Sequence, residues 1–407
     1  MVGHRWSARS FEVRDFLARN SVPYRWLTVE QPEGRRLLEA AGLDATSIPL
    51  VVTPAGDALV DPGVEELAAR VGLSTTPATD FYDTVIVGGG PAGLGAAVYA
   101  ASEGLRMVLV ERQATGGQAG QSSRIENYLG FPDGVSGAQL TDRARRQAHK
   151  FSAEILSARN VTGLEVRGSS RVIRFGDGGE IAAHTVVLAT GVAYHKLNVP
   201  GADRLTGLGV FYGSAATEAP APAGEDVHVV GGANSAGQAA MFLSRHARRV
   251  TLLVRADGLE RSMSSYLIRQ IRDTPNIQVR PHTQVVEAAG GEHLERIRLC
   301  DTRAGTVEEV PASYLFVFIG AAPCTDWLDG VIQCDSKGFL LTGPDLLVGG
   351  KRPTGWTLDR DPHYLEGSVP GIFAAGDARA NSVKRVASAV GEGAMAIQLV
   401  HRYLEAQ

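Results

Sequence analysis

Hydrophobic and polar positions in the first 75 residues alternate between helical and strand spacing. Phe11, Val13, Phe16 and Leu17 recur at the spacing of one helix face. The same pattern, with glycine and proline as breakers, predicts helices at 11–17, 35–41 and 64–71, strands at 24–29, 48–52 and 59–60, a turn at Gly56 and a linker at 74–79. A small α/β domain is therefore expected at the start of the chain.

From Tyr82 onward the pattern becomes a strand, a glycine turn and a helix, and this unit occurs twice. Apolar strands at 84–87 and 227–230 each run into a glycine-rich turn, and short alternating strands lie between them at 161–185. Two such units predict an α/β fold with two Rossmann-like dinucleotide-binding domains.

The first turn reads G-x-G-x-x-G, and each glycine has a physical reason. Gly88 allows the tight turn, Gly90 lets the backbone approach a pyrophosphate, and Gly93 lets the helix pack on the strand. The next strand, 107–110, ends in Glu111, where an acid can bind the ribose hydroxyls of a dinucleotide.

Composition narrows the class of protein. The chain has 407 residues, 44% apolar and 21% charged, which suits two to three globular domains and excludes disorder as the main state. A net charge of -4 gives no reason to expect nucleic acid or an anionic membrane as partner. The longest uncharged run, 84–102, is too glycine-rich for a membrane span.

The cysteines, the amino terminus and the histidines indicate the cellular setting and whether a metal site is expected. The chain has three cysteines, and its amino terminus has no apolar signal core. The cysteines cannot form a disulfide framework, and no signal sequence is expected, so the predicted setting is the reducing cytoplasm. The histidines show no metal-ligand spacing, so no metal site is predicted.

Residues 82–404 resemble the low-molecular-weight thioredoxin reductase family. Four further motifs carry the resemblance: Gly116-Gly117-Gln118, the stretch 124–132 with Glu126-Asn127-Tyr128, the strand 186–191 ending in Ala189-Thr190-Gly191, and Gly371–Asp377. The resemblance implies FAD, NADPH with less certainty, a homodimer, and a nicotinamide domain inserted into the flavin domain and able to rotate.

The resemblance also implies the residues around the flavin. Asp377 would accept hydrogen bonds from the ribityl chain, and Lys384 or Arg385 would either tune the flavin by charge or contact phosphate or solvent. Glu392 is interpreted as a helix-start acid and nothing more. The predicted FAD-binding residues are Gly88, Gly90, Pro91, Ala92, Gly93, Glu111, Arg112, Gly117, Gln118, Asn127, Thr190, Gly191, Gly376, Asp377, Lys384, Arg385 and Val386.

The predicted domain boundaries follow from this alignment of motifs. The small domain spans 1–75, the flavin domain is split into 81–196 and 312–407, and the nicotinamide domain spans 197–311. The region 343–368, rich in glycine, proline and charge, is predicted to be a surface loop.

The amino-terminal domain resembles the thioredoxin and glutaredoxin fold by its element order and by the Ile48-Pro49 step, where that fold keeps a cis proline. Ser7 and Ser10 stand at the spacing of its C-x-x-C, and a serine hydroxyl cannot exchange disulfides. Two interpretations stay open: a peptide-docking or interdomain adaptor, and a vestigial packing domain.

The second turn departs from the family pattern. Ala233 replaces its middle glycine, which weakens the expected approach of a pyrophosphate. Arg255 and Arg261 favour NADPH over NADH, and a domain that no longer binds nicotinamide well is the alternative. The predicted nicotinamide-site residues are Gly231, Ala233, Asn234, Ser235, Ala236, Arg255 and Arg261.

The redox dithiol of the family is missing from its usual place. Gly213 and Ala216 stand at the two cysteine positions and Thr217 at the acid. A Cys324–Cys334 redox pair is disfavoured, so no side chain is assigned as catalytic and the reacting atom is N5 of the flavin. The candidate pocket residues over the flavin are Gly213, Ser214, Ala215, Ala216 and Thr217.

The leading hypothesis is an FAD-dependent oxidoreductase that takes a hydride from NADPH and passes electrons to a small molecule, O₂ or a protein, but not to a protein disulfide. An oxidase or dehydrogenase of an organic substrate is the alternative. A flavin-bearing binding or redox-sensing module, whose first domain retains a peptide groove, is a third hypothesis. A ferredoxin-dependent reductase of the same superfamily ranks lower.

Overall fold

Strand-forming runs and glycine turns assemble into five sheets in the computed structural model, which describes residues 1–122, 125, 127–212, 223–328 and 330–407. Residue contacts divide the chain into two units. The first unit comprises Met1–Pro62, Gln121–Ile125 and Tyr194–Ala321, and the second unit comprises Gly63–Gly120, Glu126–Ala193 and Ala322–Gln407. The boundaries predicted from the motifs stay predictions.

The amino-terminal part of the first unit is a four-stranded sheet in the order β2-β1-β3-β4. Strand β1 is parallel to β2 and antiparallel to β3, which pairs antiparallel with β4. The Ile48–Pro49 peptide bond before β3 is cis. Its elements are β1 (Val2–Gly3), α1 (Ala8–Arg19), β2 (Leu27–Thr28), α2 (Pro32–Ala40), β3 (Leu50–Val52) and β4 (Ala58–Val60).

The rest of the first unit contains a five-stranded parallel sheet in the order β12-β19-β13-β14-β15 and an antiparallel three-stranded sheet. The parallel sheet is formed by β12 (Val210–Tyr212), β13 (Asp226–Val230), β14 (Arg249–Leu253), β15 (Ile277–Arg280) and β19 (Tyr314–Val317). Its helices are α7 (Asn234–Leu243) and α8 (Ser265–Asp273). The antiparallel sheet is formed by β16 (Thr283–Ala289), β17 (Arg296–Asp301) and β18 (Val307–Pro311).

The second unit is built on a mixed sheet in the order β7-β6-β5-β10-β9-β8, with β21 also pairing with β10. Strand β5 is buried on both faces over 84–87, which is typical of a central parallel strand. The strands are β5 (Phe81–Val87), β6 (Met107–Val110), β7 (Glu154–Leu156), β8 (Val161–Arg167), β9 (Ser170–Phe175), β10 (Glu180–Leu188) and β21 (Ile372–Ala374).

The helices of the second unit are α3 (Val64–Arg70), α4 (Pro91–Ser102), α5 (Gly117–Gly120), α6 (Gly137–Lys150) and α9 (Val386–Glu405). Short 3₁₀ turns lie at Asp326–Leu328, Gly343–Leu346 and Gly376–Ala378, and two short strands, β11 (Val192–Tyr194) and β20 (Ala321–Pro323), lie where the chain passes between the units. In the described residues no helix is both long and apolar enough to cross a membrane.

The structure corrects two predictions about local structure. The strand predicted at 24–29 is only Leu27–Thr28, because its partner β1 offers two residues for pairing. The region 343–368 is not all surface loop, since Leu365 and Glu366 are fully buried. The Glu366 carboxylate accepts hydrogen bonds from the Arg360 guanidinium and from the Gly371 amide (3.0 Å), which holds this region against the start of β21.

The buried imidazole of His228, on the central strand β13, makes the fold sensitive to acid. Burial lowers the pKa of His228 to about 4, and its Nδ1 has no hydrogen-bond partner in the described structure. The unfolded chain takes up this proton below its ordinary pKa of 6.5, whereas the folded chain does not. Folding stability is therefore lost as pH falls from 6.5 towards 4, by up to ~3 kcal/mol.

We expect the apparent Tm of the His228→Leu variant to fall less steeply than that of the parent between these pH values. The measurement is thermal unfolding in a pH series, with the exposed His246→Leu as control, whose curve should run parallel to the parent's. Parallel curves for the parent and His228→Leu would contradict the prediction.

Candidate functional site

The first turn, Gly88–Gly93, connects β5 to α4 and brings two backbones into close contact. Gly88 has φ +105°, and a Cβ there would lie 2.4 Å from the Ala189 carbonyl oxygen. A Cβ on Gly93 would lie 1.8 Å from the Gly88 carbonyl oxygen. Helix α4 can therefore sit on β5 only because both residues are glycine.

Gly90 is different, because a Cβ there would meet no atom within 4 Å. It is the N-cap of α4, Pro91 follows at the first helical position, and no side chain caps the helix. A helix start with uncapped backbone amides and open space beside it is the arrangement that binds a phosphate group. The structure thus confirms the local geometry that the glycine spacing predicts.

Glu111 is held rigidly at the end of β6. Its two carboxylate oxygens accept hydrogen bonds from the backbone amides of Gly89 (2.7 Å) and Gln113 (2.9 Å). The following Gly116 amide donates to the Gly89 carbonyl (2.7 Å), so the 116–117 loop closes over the first turn. Arg112, beside Glu111, is exposed.

Two oxygen atoms next to this turn are buried without a hydrogen-bond partner in the described structure. They are Oε1 of Gln118 and Oγ1 of Thr190. The Gln118 amide nitrogen is fixed by donating to the Val192 carbonyl (3.2 Å), which orients the free oxygen. Buried polar atoms of this kind are normally satisfied, so these two indicate the place of a polar ligand.

Asp377 lies on the turn after β21, and burial raises the pKa of its carboxyl. A Cβ on the preceding Gly376 would lie 2.9 Å from the Ala92 Cβ, so this turn packs on the start of α4. Lys384 donates to the Asp377 carbonyl (3.0 Å), and its ammonium lies 4.4 Å from the centre of the Phe339 ring. Lys384 is exposed, and these two contacts tie its side chain to the Asp377 loop.

A buried ion pair, not predicted from the sequence, supports the Asp377 loop. Glu392, on α9, accepts from the Gly376 amide (2.7 Å) and from the Arg379 guanidinium (2.6 and 3.3 Å). The exposed fractions of the two side chains are 6% for Arg379 and 14% for Glu392. Glu392 is therefore more than a helix-start acid; an acid between two glycines in an apolar helix was the available signal.

Helix α9 reaches this position by packing closely on α4. A Cβ on Gly393 would lie 2.1 Å from the Ala92 carbonyl oxygen, and one on Gly95 would lie 2.9 Å from that of Val390. Val386, the first residue of α9, and Arg385, its N-cap, follow the Lys384 segment directly. The carboxyl-terminal helix thus begins beside the Asp377 loop.

The second turn, Gly231–Ala236, repeats the geometry of the first. Gly231 has φ +141°, and a Cβ there would lie 2.4 Å from the Phe318 carbonyl oxygen. Ala233 is the N-cap of α7 with φ −99° and ψ 177°, close to Gly90 in the first turn (φ −70°, ψ −174°). Alanine therefore causes no backbone strain at this position, and its exposed methyl group occupies space that Gly90 leaves open.

The loop after β14 covers one side of the second turn. Ser262 donates its hydroxyl to the Gly232 carbonyl (2.8 Å), and the Asn234 side chain accepts from the Ser264 amide (2.8 Å). Arg255 and Arg261 are exposed at this loop. Ser235 is exposed and Ala236 is fully buried against the turn.

Not every predicted site residue belongs to the part of the chain that the structure describes. The pocket candidates Gly213, Ser214, Ala215, Ala216 and Thr217 lie outside the described residues, as do Arg124 and Glu126 beside the exposed Asn127. In the described residues no cluster of three or more metal-ligating side chains occurs.

The residues present fit an FAD molecule. The helix start at Gly90 suits its pyrophosphate, the fixed Glu111 its ribose, and the Gln118, Thr190 and Asp377 oxygens its polar groups. The fold and these residues indicate a flavoprotein, and the helix start at Ala233 has backbone geometry similar to that at Gly90.

Comparison with known proteins assigns the family. Residues 82–393 match the model of the pyridine nucleotide-disulphide oxidoreductases, and the chain belongs to this family. Thioredoxin reductase from Treponema pallidum (strain Nichols) is 33% identical over 324 residues, which cover 80% of this chain and 97% of that protein. Thioredoxin reductase from Mycolicibacterium smegmatis is 32% identical over 326 residues, which cover 80% of this chain and 97% of that protein.

Among solved structures, Lactococcus lactis thioredoxin reductase in its FR conformation is similar with a TM-score of 0.71 and 27% identity, over 80% of this chain and 100% of that chain. Thioredoxin reductase-like members of this family use FAD and NADPH, and the chain is an FAD-dependent NAD(P)H oxidoreductase.

The two glycines of the first turn allow a matched test. Gly93→Ala places a methyl group on the Gly88 carbonyl and should destabilise the apoprotein by about 1–3 kcal/mol. Gly90→Ala places a methyl group in open space and should leave apoprotein stability unchanged while weakening FAD binding. Thermal unfolding of the apoproteins and FAD titration by fluorescence separate the two effects; undiminished FAD affinity in Gly90→Ala would contradict this assignment.

Glu392→Ala leaves the Arg379 guanidinium buried without its carboxylate and removes the acceptor of the Gly376 amide. Breaking a buried pair in this way costs about 3–5 kcal/mol, so FAD should be lost together with stability. Glu392→Gln keeps the acceptor and should have an intermediate FAD affinity. Glu405→Ala, exposed at the end of the same helix, is the control, and equal FAD affinity in all three variants would refute the role.

Proposed function

We propose that this enzyme transfers electrons from NADPH through FAD to an acceptor other than a protein disulfide. The acceptor is a small molecule, O₂ or a redox protein. One observation carries the proposal: an FAD site with complete motifs stands in a chain whose cysteines, Cys300, Cys324 and Cys334, have no C-x-x-C spacing.

The properties of the cysteines support this proposal. All three are free, and burial raises the pKa of the Cys324 and Cys334 thiols. The thiolate is the reactive form, so a raised pKa disfavours disulfide exchange at neutral pH. Cys324 is further fixed by the hydrogen bond from its amide to the Gly191 carbonyl (3.0 Å), which suits a packing role beside the flavin motif.

The protein's contribution to the reaction is positioning. Bound FAD supplies the hydride and electron chemistry. The first turn and Glu111 would hold the adenosine diphosphate half of FAD. The Asp377 loop, braced by Glu392, would place the Asp377 carboxyl where it accepts hydrogen bonds from the ribityl chain. Lys384 keeps a positive charge next to this loop.

The second turn would hold NADPH. The helix start at Ala233 offers backbone amides to the pyrophosphate, and the exposed Arg255 and Arg261 offer charge to a 2′-phosphate. The absence of an acid at the end of β14, where Arg255 follows, disfavours NADH.

We also propose that the amino-terminal domain is a thioredoxin-like domain without a dithiol. Its strand order and the directions of its strands support this proposal. Ser7 caps α1 by accepting from the Ser10 amide (3.1 Å), so the serine at the first cysteine position has a structural use.

A homodimer is proposed from the family resemblance. The exposed apolar side chains of Tyr99 on α4 and Met395 on α9 are compatible with a covered surface. Light scattering of the FAD-loaded protein measures its oligomeric state.

Anaerobic titration with NADPH and NADH, followed at the visible flavin band, tests the electron donor. Fast bleaching by NADPH together with absent NADPH-dependent reduction of insulin or aromatic disulfides is expected. Cys324→Ser and Cys334→Ser should then leave turnover with the acceptor unchanged. Rapid disulfide reduction would overturn the proposal, and a flavin bleached by neither nucleotide would favour an oxidase or dehydrogenase of an organic substrate.

Ala233→Gly tests the second turn directly. Removal of the exposed methyl group should tighten NADPH binding by about 1 kcal/mol, roughly fivefold in Kd, because the pyrophosphate can approach the backbone more closely. The Kd for NADPH, measured against an unchanged FAD content, is the readout, and unchanged or weaker binding would show that this methyl does not limit the site.

A further inference from the structure

The segment Arg5–Phe11, which we call the anchor segment, comprises the end of the loop after β1 and the first turn of α1, and it packs on the parallel sheet of the same unit. The Trp6 ring stacks on His293 with ring centres 4.6 Å apart and an interplanar angle of 19°, and it lies 5.9 Å from Tyr314. Phe11 lies 5.3 Å from Phe211 of the edge strand β12. Both aromatic side chains extend the apolar core beneath that sheet.

Polar contacts fix the same surface. The Arg5 guanidinium donates to the Tyr314 hydroxyl (2.6 Å), and Tyr314 is only 1% exposed. Arg5 also lies 3.7 Å from the Glu225 carboxylate at the start of the central strand. A buried tyrosine hydroxyl needs a partner, so Arg5 satisfies a group that belongs to the sheet.

The backbones approach closely at this surface as well. Gly207, with φ +77°, precedes β12, and a Cβ there would lie 3.1 Å from the Ala8 Cα. Ala8 is the first residue of α1. The helix start therefore rests on the loop before the edge strand, where a larger residue at either position would separate them.

The opposite side of the anchor segment is hydrogen-bonded to the rest of the amino-terminal domain. Arg9 donates to the Asp61 carboxylate (2.8 Å) and to the Pro62 carbonyl (3.1 Å), and it pairs with Glu12. Ser10 is 1% exposed, and its hydroxyl accepts from the His4 amide (3.3 Å). The helix start thus has contacts on both sides.

We propose that the surface formed by Gly207, Phe211, His293 and Tyr314 is a docking surface for the helix-start segment of a thioredoxin-like domain, and that its occupant is this chain's own anchor segment. Residues 1–62 are then a built-in, redox-silent partner of the nicotinamide-binding part of the chain. The proposal rests on these contacts and on the thioredoxin-like assignment of the first domain proposed above, and not on which acceptor the flavin reduces.

The test is hydrogen exchange of the full-length, FAD-loaded protein, read by mass spectrometry. Arg5→Ala and Tyr314→Phe each remove one side of the same charge-assisted hydrogen bond. Each should speed exchange about fivefold or more in peptides covering both 1–20 and 205–212. The double variant should exchange no faster than Arg5→Ala alone, since the hydrogen bond that Tyr314→Phe removes is already lost in Arg5→Ala.

Arg25→Ala is the matched control, because Arg25 is an exposed arginine of the same domain paired with Glu33 (2.7 Å) away from the anchor segment. It should leave exchange in 205–212 unchanged. Trp6→Ala should exceed Arg5→Ala in effect at both sides of the surface. Exchange in 205–212 that is unaffected by Arg5→Ala and Tyr314→Phe, or that is simply additive in the double variant, would overturn the proposal.

Discussion

The contact between the Gly93 α-carbon and the Gly88 carbonyl is the constraint on which the second unit depends. It seats α4 on the central strand, and three other turns then meet at the amino end of this helix: the loop at Gly116–Gly117, the strand end at Ala189 and the turn at Gly376. A β-carbon on Gly88, Gly117 or Gly376 would obstruct these close contacts, and the Gly116 amide also donates a hydrogen bond to the Gly89 carbonyl. Glycine leaves open space beside the backbone at the amino end of α4, which is the arrangement proposed above to hold a dinucleotide.

The local backbone geometry was predictable where one residue type has one physical reason. The structure confirms the tight turn at Gly88 and the close helix packing at Gly93, whereas ribose binding by Glu111 stays a prediction. The roles of Glu392, Arg379 and Glu366 were not predictable, because their partners are set by how helices and turns pack and not by a recognisable spacing in the sequence. Charged residues inside apolar surroundings were the only sequence signal for them.

Predictions from local sequence were also wrong where contacts with other parts of the chain decide the structure. The strand predicted at 24–29 shortens to two residues because β1 is that short, and the polar, proline-rich region before Gly371 is buried at its end by the Glu366 hydrogen bonds. At the second turn the sequence predicts weaker pyrophosphate binding, and this stays a prediction. The structure shows that Ala233 adopts an ordinary backbone conformation and adds an exposed methyl group. Alanine at position 233 therefore takes up space beside the helix start without straining the backbone.

The brace from α9 also fixes when the site can exist during synthesis. The first turn leaves the ribosome with residues 88–93, but Glu392 belongs to α9 (Val386–Glu405). The Gly376 amide and the Arg379 guanidinium therefore have no carboxylate from this helix until that part of the chain has been synthesised. Since chains fold from the amino terminus as they emerge, the first turn can form early, whereas the braced Asp377 loop can form only after α9 has joined it.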